Sequence, residues 1–184
     1  MFRRSAIAAI AALASIAVST TTALAKEGEL ATPEEIAAAE AALVEWTGAY
    51  QAGDYRAQWL LTDSRIRHWH DKKRWKAWMT KAAKRNGALL SYQFEAAAPA
   101  TAKDLPCTEM GHCFREGVKY VLFLIRSDYE IAEPAQPEFA VMAESDEGWR
   151  FGGGSFLNRP MGETSVIMTV QDERRYKPGF SIQR

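Results

Sequence analysis

The spacing at which apolar residues recur changes near residue 89, and this change limits the fold more than any other feature of the chain. From Ile36 to Tyr50 apolar residues recur every three or four positions, which places them on one face of a helix. Farther on, Leu90, Tyr92 and Phe94 alternate with polar neighbours, as in a strand with one buried face. Helices followed by strands predict an α+β fold in which N-terminal helices pack on a curved antiparallel sheet.

Capping residues set the bounds of three predicted helices. A hydroxyl, a proline and a carboxylate within residues 32–35 form a capping-box pattern that predicts the start of the first helix, and Gly53 ends it. Asp54 can cap a second, shorter helix. A third helix is predicted from Asp71 to Asn86, which is followed by a glycine of the kind that ends helices.

The second half of the chain contains the predicted strands. Residues 118–126 are apolar on both faces, which is typical of a central strand. Residues 138–144 and 149–156 are joined by Ser-Asp-Glu-Gly and predict a hairpin, in which the glycines at 152–154 mark a bulge or bend. Residues 164–170 predict a further strand.

The first 25 residues have the pattern of a secretory signal peptide. Two arginines precede an apolar run over residues 6–18, and Ala-Leu-Ala closes the segment at Ala25. We therefore expect a periplasmic or secreted protein, with one domain over residues 26–159 and a C-terminal extension over 160–184 that can add one strand. After cleavage of this leader, no segment is long and apolar enough to span a membrane, which requires about 20 apolar residues.

The two cysteines, Cys107 and Cys113, are close in sequence. In an exported chain such a pair predicts a local disulfide. A redox centre more often has the spacing C-x-x-C, and a zinc site would need more ligands nearby than His112. We expect no cofactor.

Residues 65–78 combine histidines, tryptophans and basic residues. His68 and His70 can share a metal ion only if the backbone is extended, with His112 or Asp63 as a possible third ligand. In a helix these two side chains would diverge by about 200°. The pattern favours ordinary histidines at a junction between helices over residues 65–70, and no metal.

The third helix contains seven basic residues, and Asp71 at its start is its only acidic one. Trp75, Trp78 and Met79 recur at helical spacing, which predicts that they point into the core and leave the cations on an outer face. Binding of anionic envelope components by that face is one functional hypothesis. Nucleic acid is not an expected partner, because an exported protein seldom meets it and because the 23 basic residues of the chain are balanced by 23 acidic ones.

An acid–base pair is a second functional hypothesis. Asp63 and His68 could serve an enzyme if both side chains reached one pocket within hydrogen-bonding distance. No catalytic signature accompanies them, so we expect a protein without enzymatic activity.

The segment WTGAYQAGDYRAQW, residues 46–59, resembles the signature of a family of small exported bacterial domains of unknown function. That family has a cystatin-like, nuclear-transport-factor-like cone fold. The chain departs from the family pattern at Gln51, where the family tends to have Asp, and at Gln58, where it tends to have Ser. The matching positions are Trp46, Gly53, Tyr55 and Trp59, with Trp75, Gly87 and the segment 148–153 farther on.

The resemblance covers about residues 34–157 and implies a curved sheet around helices, with a pocket between them. It brings no established activity. We therefore predict a domain that binds a small apolar ligand or an envelope protein. The predicted lining residues are aromatic: Trp59, Trp75, Trp78, Tyr92, Tyr120 and Trp149.

Overall fold

The computed structural model describes residues 29–107, 113–132 and 138–157 and the backbone of residues 182–183. These residues form helices followed by an antiparallel sheet that is not closed, so the predicted α+β class is confirmed. None of the helices in these ranges has the length and apolar character needed to cross a bilayer. In chain order the elements are α1 Pro33–Gln51, α2 Tyr55–Leu60, α3 Ser64–Trp69, α4 Lys72–Asn86, β1 Leu89–Ala100, a 3-10 turn Ala102–Asp104, β2 Tyr120–Tyr129, β3 Glu138–Ala143, β4 Arg150–Gly154 and β5 Ile182–Gln183.

The helix starts follow the capping residues. The Thr32 hydroxyl accepts from the Glu35 N–H while the Glu35 carboxylate accepts from the Thr32 N–H at 2.7 Å, which completes the predicted capping box. Asp54 caps α2 and Asp71 caps α4, as expected. The prediction that residues 65–70 form a junction between helices is wrong for residues 65–69, which are helical, whereas His70 does lie between two helices. Asp63 caps a short helix there, α3, because its carboxylate accepts from a backbone N–H of the first turn.

The sheet has the strand order β4-β3-β2-β1-β5, and every neighbouring pair is antiparallel. The predicted central strand and the predicted hairpin of β3 and β4 are confirmed. Alternate residues of β2 enter different clusters: Val121 and Phe123 join the main core with the helices, whereas Leu122 packs in a smaller cluster. The strand predicted at residues 164–170 lies outside the described residues.

Two irregularities in strand pairing change the local pattern. The register of β1 and β2 shifts between Leu89 and Ser91, so Leu90 is 57% exposed, and the prediction that it shares a buried face with Tyr92 is wrong. Between β3 and β4, Val141 pairs with Gly153 and the next residue, Met142, pairs with Phe151. This shift in register confirms the bulge predicted at the glycines of β4.

The end of α4 packs closely against the residues that follow β2, and Gly87 lies at this contact. The backbone carbonyl of Asn86 accepts from the N–H groups of Ile131 and Ala132, both at 3.0 Å. Gly87 has φ +76°, and a Cβ at this position would lie 2.9 Å from the backbone nitrogen of Ile131. A side chain here is therefore excluded both by the backbone conformation and by the neighbouring strand.

We expect Gly87→Ala to lower the free energy of unfolding by about 2–4 kcal/mol, because the strain and the contact with Ile131 add. Gly48→Ala is the matched control. Gly48 lies in α1 with nothing within 4 Å of its ideal Cβ, so alanine should raise stability by about 0.5–1 kcal/mol. Urea denaturation measures both changes, and equal effects would contradict this account.

Candidate functional site

A cleft of about 400 Å³ opens where the ends of the helices meet the sheet. Its walls come from the end of α1, the start of α2, the last turns of α4 and the adjoining ends of β1 and β2. Tyr50 and Tyr55 contribute rings with centroids 6.1 Å apart. The lining residues are Tyr50, Gln51, Gly53, Tyr55, Ala83, Lys84, Gly87, Ala88, Leu89, Glu130 and Ile131. We refer to this feature as the Tyr50 cleft.

Tyr50, which lines this cleft, and Arg85, which follows the lining residue Lys84, each have a buried hydrogen-bond donor without an acceptor among the described residues. Tyr50 is only 5% exposed, and its hydroxyl has no hydrogen-bond partner within the described part of the chain. The Nη2 group of Arg85 is also buried and unpartnered, whereas its Nε donates to the Asn86 side chain at 3.0 Å. Unpaired buried polar groups are rare in folded proteins and each calls for an explanation.

The surroundings keep the Tyr50 hydroxyl protonated. Burial raises its pKa to about 12, the nearby Tyr55 and Glu138 add to this effect, and the Arg85 guanidinium opposes it. At neutral pH the site therefore offers a tyrosine O–H and a guanidinium N–H, both of which donate.

A buried carboxylate lies beneath the same end of the sheet. Glu138, at the start of β3, accepts hydrogen bonds at 2.8 Å from the hydroxyls of Ser127 and Tyr129, both on β2. Burial is the main cause that raises the pKa of Tyr129, and the Glu138 carboxylate adds to it. These contacts attach the Glu138 carboxylate of β3 to the neighbouring strand β2.

The aromatic residues predicted to line a pocket do not line the Tyr50 cleft. Trp75, Tyr92, Tyr120 and Trp149 are buried in the hydrophobic clusters. Trp75 donates its indole N–H to the Gln58 side chain at 3.2 Å.

The other two predicted lining residues, Trp59 and Trp78, contact His70, just before the start of α4. The indole N–H of Trp59 donates to the carbonyl of His70 at 2.8 Å. Trp78 is 36% exposed, and its ring lies 5.3 Å from that of His70. The prediction that Trp78 points into the core together with Trp75 and Met79 is therefore wrong. Trp78 lies at the edge of the buried face of α4, which contains Trp75 and Met79.

Asp63 and His68, the predicted acid–base pair, are not brought together. Asp63 is 2% exposed, and its carboxylate accepts from the Arg65 N–H at 2.8 Å and from Arg115 Nη2 at 3.3 Å. His68 lies exposed on α3, and no hydrogen bond joins these two described residues. Asp63 acts here as a helix cap and as the partner of two arginines.

Arg65 connects α3 to distant parts of the chain. Its guanidinium donates to the carbonyl of Cys113 at 2.6 Å and to that of Gly152 at 3.0 Å, and it stacks over the Phe114 ring at 4.6 Å. The Cys107–Cys113 disulfide is present, which confirms the predicted pairing. Arg65 thus ties the segment after the disulfide to both α3 and β4.

The metal hypothesis depends on residues that the structure places apart or does not describe. His68 belongs to α3, and His70 is the residue that ends it. His112 lies outside the described residues. Within the described ranges no group of three potential ligands could hold a metal ion.

The exposed cations of α4 form a continuous charged surface, which we call the α4 basic face. It consists of Lys72, Lys73, Arg74, Lys76, Lys81 and Lys84. The sequence predicted that the lysines of this helix face outward, and the structure confirms that they are exposed.

No known protein family, curated protein or solved structure matches the chain. The resemblance to the family of exported domains therefore stays a prediction. The fold and the geometry of the Tyr50 cleft are the basis for assigning a function.

The sequence offers little that could have located this cleft. Tyr50 was visible only as one more apolar position on the face of α1, and Arg85 only as a cation in the last turn of a helix. Gly87 was recognised as a helix end, which is the nearest available signal. The cleft forms because separate element ends converge, which no local pattern encodes.

We expect Asp63→Ala to lower the free energy of unfolding by about 2–4 kcal/mol, because it removes a helix cap and leaves Arg65 without its buried carboxylate. Asp54→Ala is the matched control, because Asp54 caps α2 from an exposed position and forms no ion pair with the described residues. It should cost about 1 kcal/mol. Thermal and urea denaturation of both variants tests this. Equal losses would show that the buried ion pair contributes nothing.

The raised pKa of Tyr50 predicts a loss of stability at alkaline pH. Below about pH 10 this tyrosine is protonated in the folded and the unfolded chain alike. As pH rises from about 10 toward 12, the unfolded chain loses the proton first, so the free energy of unfolding falls. Urea denaturation at pH 9 and pH 11, roughly the two sides of the ordinary tyrosine pKa, measures this loss. Tyr50→Phe should lose less stability than the wild type over that step, and an identical loss would refute the assignment.

Proposed function

We propose that this protein is an exported, non-enzymatic domain that binds a small, mainly apolar molecule with one hydrogen-bond acceptor in the Tyr50 cleft. The observation that carries the proposal is the pair of buried donors, Tyr50 O–H and Arg85 Nη2–H, which have no acceptor among the described residues. A ligand oxygen between them would satisfy both.

The chemistry of the two donors specifies the polar end of the ligand. A protonated tyrosine and an arginine both donate, so the matching group is a carboxylate or a carbonyl oxygen. Leaving a buried polar group unpaired costs about 1–3 kcal/mol. Ligand binding would recover this free energy, which favours an acceptor-bearing molecule over a purely apolar one.

The walls of the cleft specify the rest of the ligand. Tyr55, Leu89 and Ile131 present apolar surface, and Lys84 and Glu130 contribute one exposed charge of each sign. A volume of about 400 Å³ lies within the range of small-molecule sites. A small carboxylic acid with a short aliphatic or aromatic body fits these features. This site replaces the tryptophan-lined pocket that the sequence predicts.

Export is supported by two independent features. The first 25 residues have the signal-peptide pattern, and Cys107 and Cys113 form a disulfide, which persists in oxidising compartments. The arrangement around Asp63 gives no support to the enzymatic alternative.

We expect Tyr50→Phe to weaken ligand binding while leaving the free protein as stable as the wild type or more stable. The substitution keeps the ring and removes a buried hydroxyl that has no partner, so it should raise stability by up to about 1–3 kcal/mol. Saturation-transfer NMR with hexanoate, octanoate and phenylacetate measures binding, and the matching alcohols test the need for a carboxylate.

Tyr92→Phe is the control for the loss of a buried hydroxyl elsewhere. Burial also raises the pKa of Tyr92 to about 12, but its hydroxyl interacts with Thr47 and does not line the cleft. This variant should be slightly less stable than the wild type and should bind the acids normally. Absence of saturation transfer to the wild type, or equal transfer in Tyr50→Phe, would overturn the proposal. Native mass spectrometry of protein purified from the periplasm would show whether a ligand is already bound.

A further inference from the structure

The cations of α4 differ from most other cations of the described chain in having no carboxylate partners. Arginines and lysines elsewhere form ion pairs: Arg65, Arg67, Arg115, Lys119, Arg126 and Arg150. Within the described residues, none of the α4 cations forms an ion pair, although six of them are exposed. The carboxylate of Asp71, which caps the helix, interacts electrostatically with Lys73 and Arg74, but the described cations of α4 outnumber it, so this surface keeps a net positive charge.

An exposed tryptophan lies at the edge of the α4 basic face. Trp78 follows Arg74 by four residues and precedes Lys81 by three, so these side chains are neighbours on the helix surface. Its ring contacts those of Trp75 and His70, at 5.7 Å and 5.3 Å between centroids, and these contacts hold the indole on the surface. Tryptophan is enriched at membrane–water interfaces, where one end of the ring is apolar and the other is hydrated.

We infer that the α4 basic face docks on an anionic phospholipid surface, with the helix axis in the plane of the membrane. The lysines and Arg74 would lie against the lipid phosphates, and the Trp78 indole would lie at the level of the headgroups. Clusters of lysine and arginine on a helix are typical of binding to anionic lipid headgroups. Each cation near an anionic leaflet contributes an attraction of about 1 kcal/mol, so charge complementarity favours this occupant.

The packing of α4 limits how the helix can bind. Trp75, Met79 and Ala82 are buried against the rest of the protein, so the apolar stripe of the helix is already in use. The helix therefore cannot roll its apolar face into the acyl chains without unfolding the domain. Docking is peripheral, reversible and sensitive to salt, since it depends mainly on screened charges.

Co-sedimentation of the full chain with lipid vesicles tests this inference. We expect binding to vesicles of phosphatidylglycerol and phosphatidylcholine, no binding to phosphatidylcholine alone, and release by added salt. The double substitution Lys73→Gln and Lys81→Gln should weaken partitioning about 30-fold, which corresponds to about 1 kcal/mol for each cation. Brominated lipid should quench wild-type fluorescence more than that of Trp78→Phe.

Lys103→Gln with Arg126→Gln is the matched control, because it removes the same charge from exposed sites on the 3-10 turn and on β2. Arg126 pairs with Glu95 at the surface, and loss of such a pair costs at most about 1 kcal/mol, so the variant should fold. We expect it to bind vesicles like the wild type. An equal loss in both double variants would show an effect of net charge alone. Binding to soluble dextran sulfate without binding to vesicles would identify a polyanion as the partner, and either result would overturn the inference.

Discussion

The Trp46 indole is the contact on which the arrangement of helices and sheet depends. Its ring stacks on Phe151 of β4 with centroids 3.9 Å apart, and its N–H donates to the Thr62 hydroxyl at 3.2 Å. Its edge meets the ring of Trp75 in α4. One side chain therefore joins α1 to β4, to the segment before α3 and to α4. The backbone reinforces the same junction, because Phe151 exchanges hydrogen bonds with Leu61 and Asp63.

This anchor also positions the candidate site. Tyr50 follows Trp46 by one helical turn, so fixing the indole fixes the place where the tyrosine enters the space between the helices and the sheet. On the other side, α4 is held by Trp75 near its start and by Gly87 at its end. The cleft is therefore a gap between rigid elements rather than a feature of one flexible loop.

Much of the fold was predictable because its signals are local. The caps at Thr32 and Asp71, the doubly apolar central strand and the close pair of cysteines each specify their own structure. The short helix α3 was missed because six residues are too few to show a period. Leu90 was misplaced because it is the extra residue at an irregularity in β1, which the alternation of apolar residues along that strand does not reveal.

The candidate site was not predictable for a different physical reason. Large aromatic side chains gain most from full burial, so residues such as Trp75 and Tyr120 fill the core and leave no space beside them. A cleft arises instead where polar or small residues at the ends of elements prevent close packing. Tyr50 and Arg85 keep donors there that the fold itself does not use, and proteins retain such locally unfavourable groups mostly where function requires them.

The contacts of Arg65 have a consequence for the order in which the chain folds. The guanidinium reaches carbonyls 48 and 87 residues farther along the sequence. Closing loops of this length costs chain entropy before any contact is gained, so interactions between distant residues form late. Although α3 is near the beginning of the chain, its native surroundings are complete only after β4 has joined the sheet and the segment that follows the disulfide has reached it. An early segment thus depends on β4, and this corner of the domain is complete only when that strand has paired.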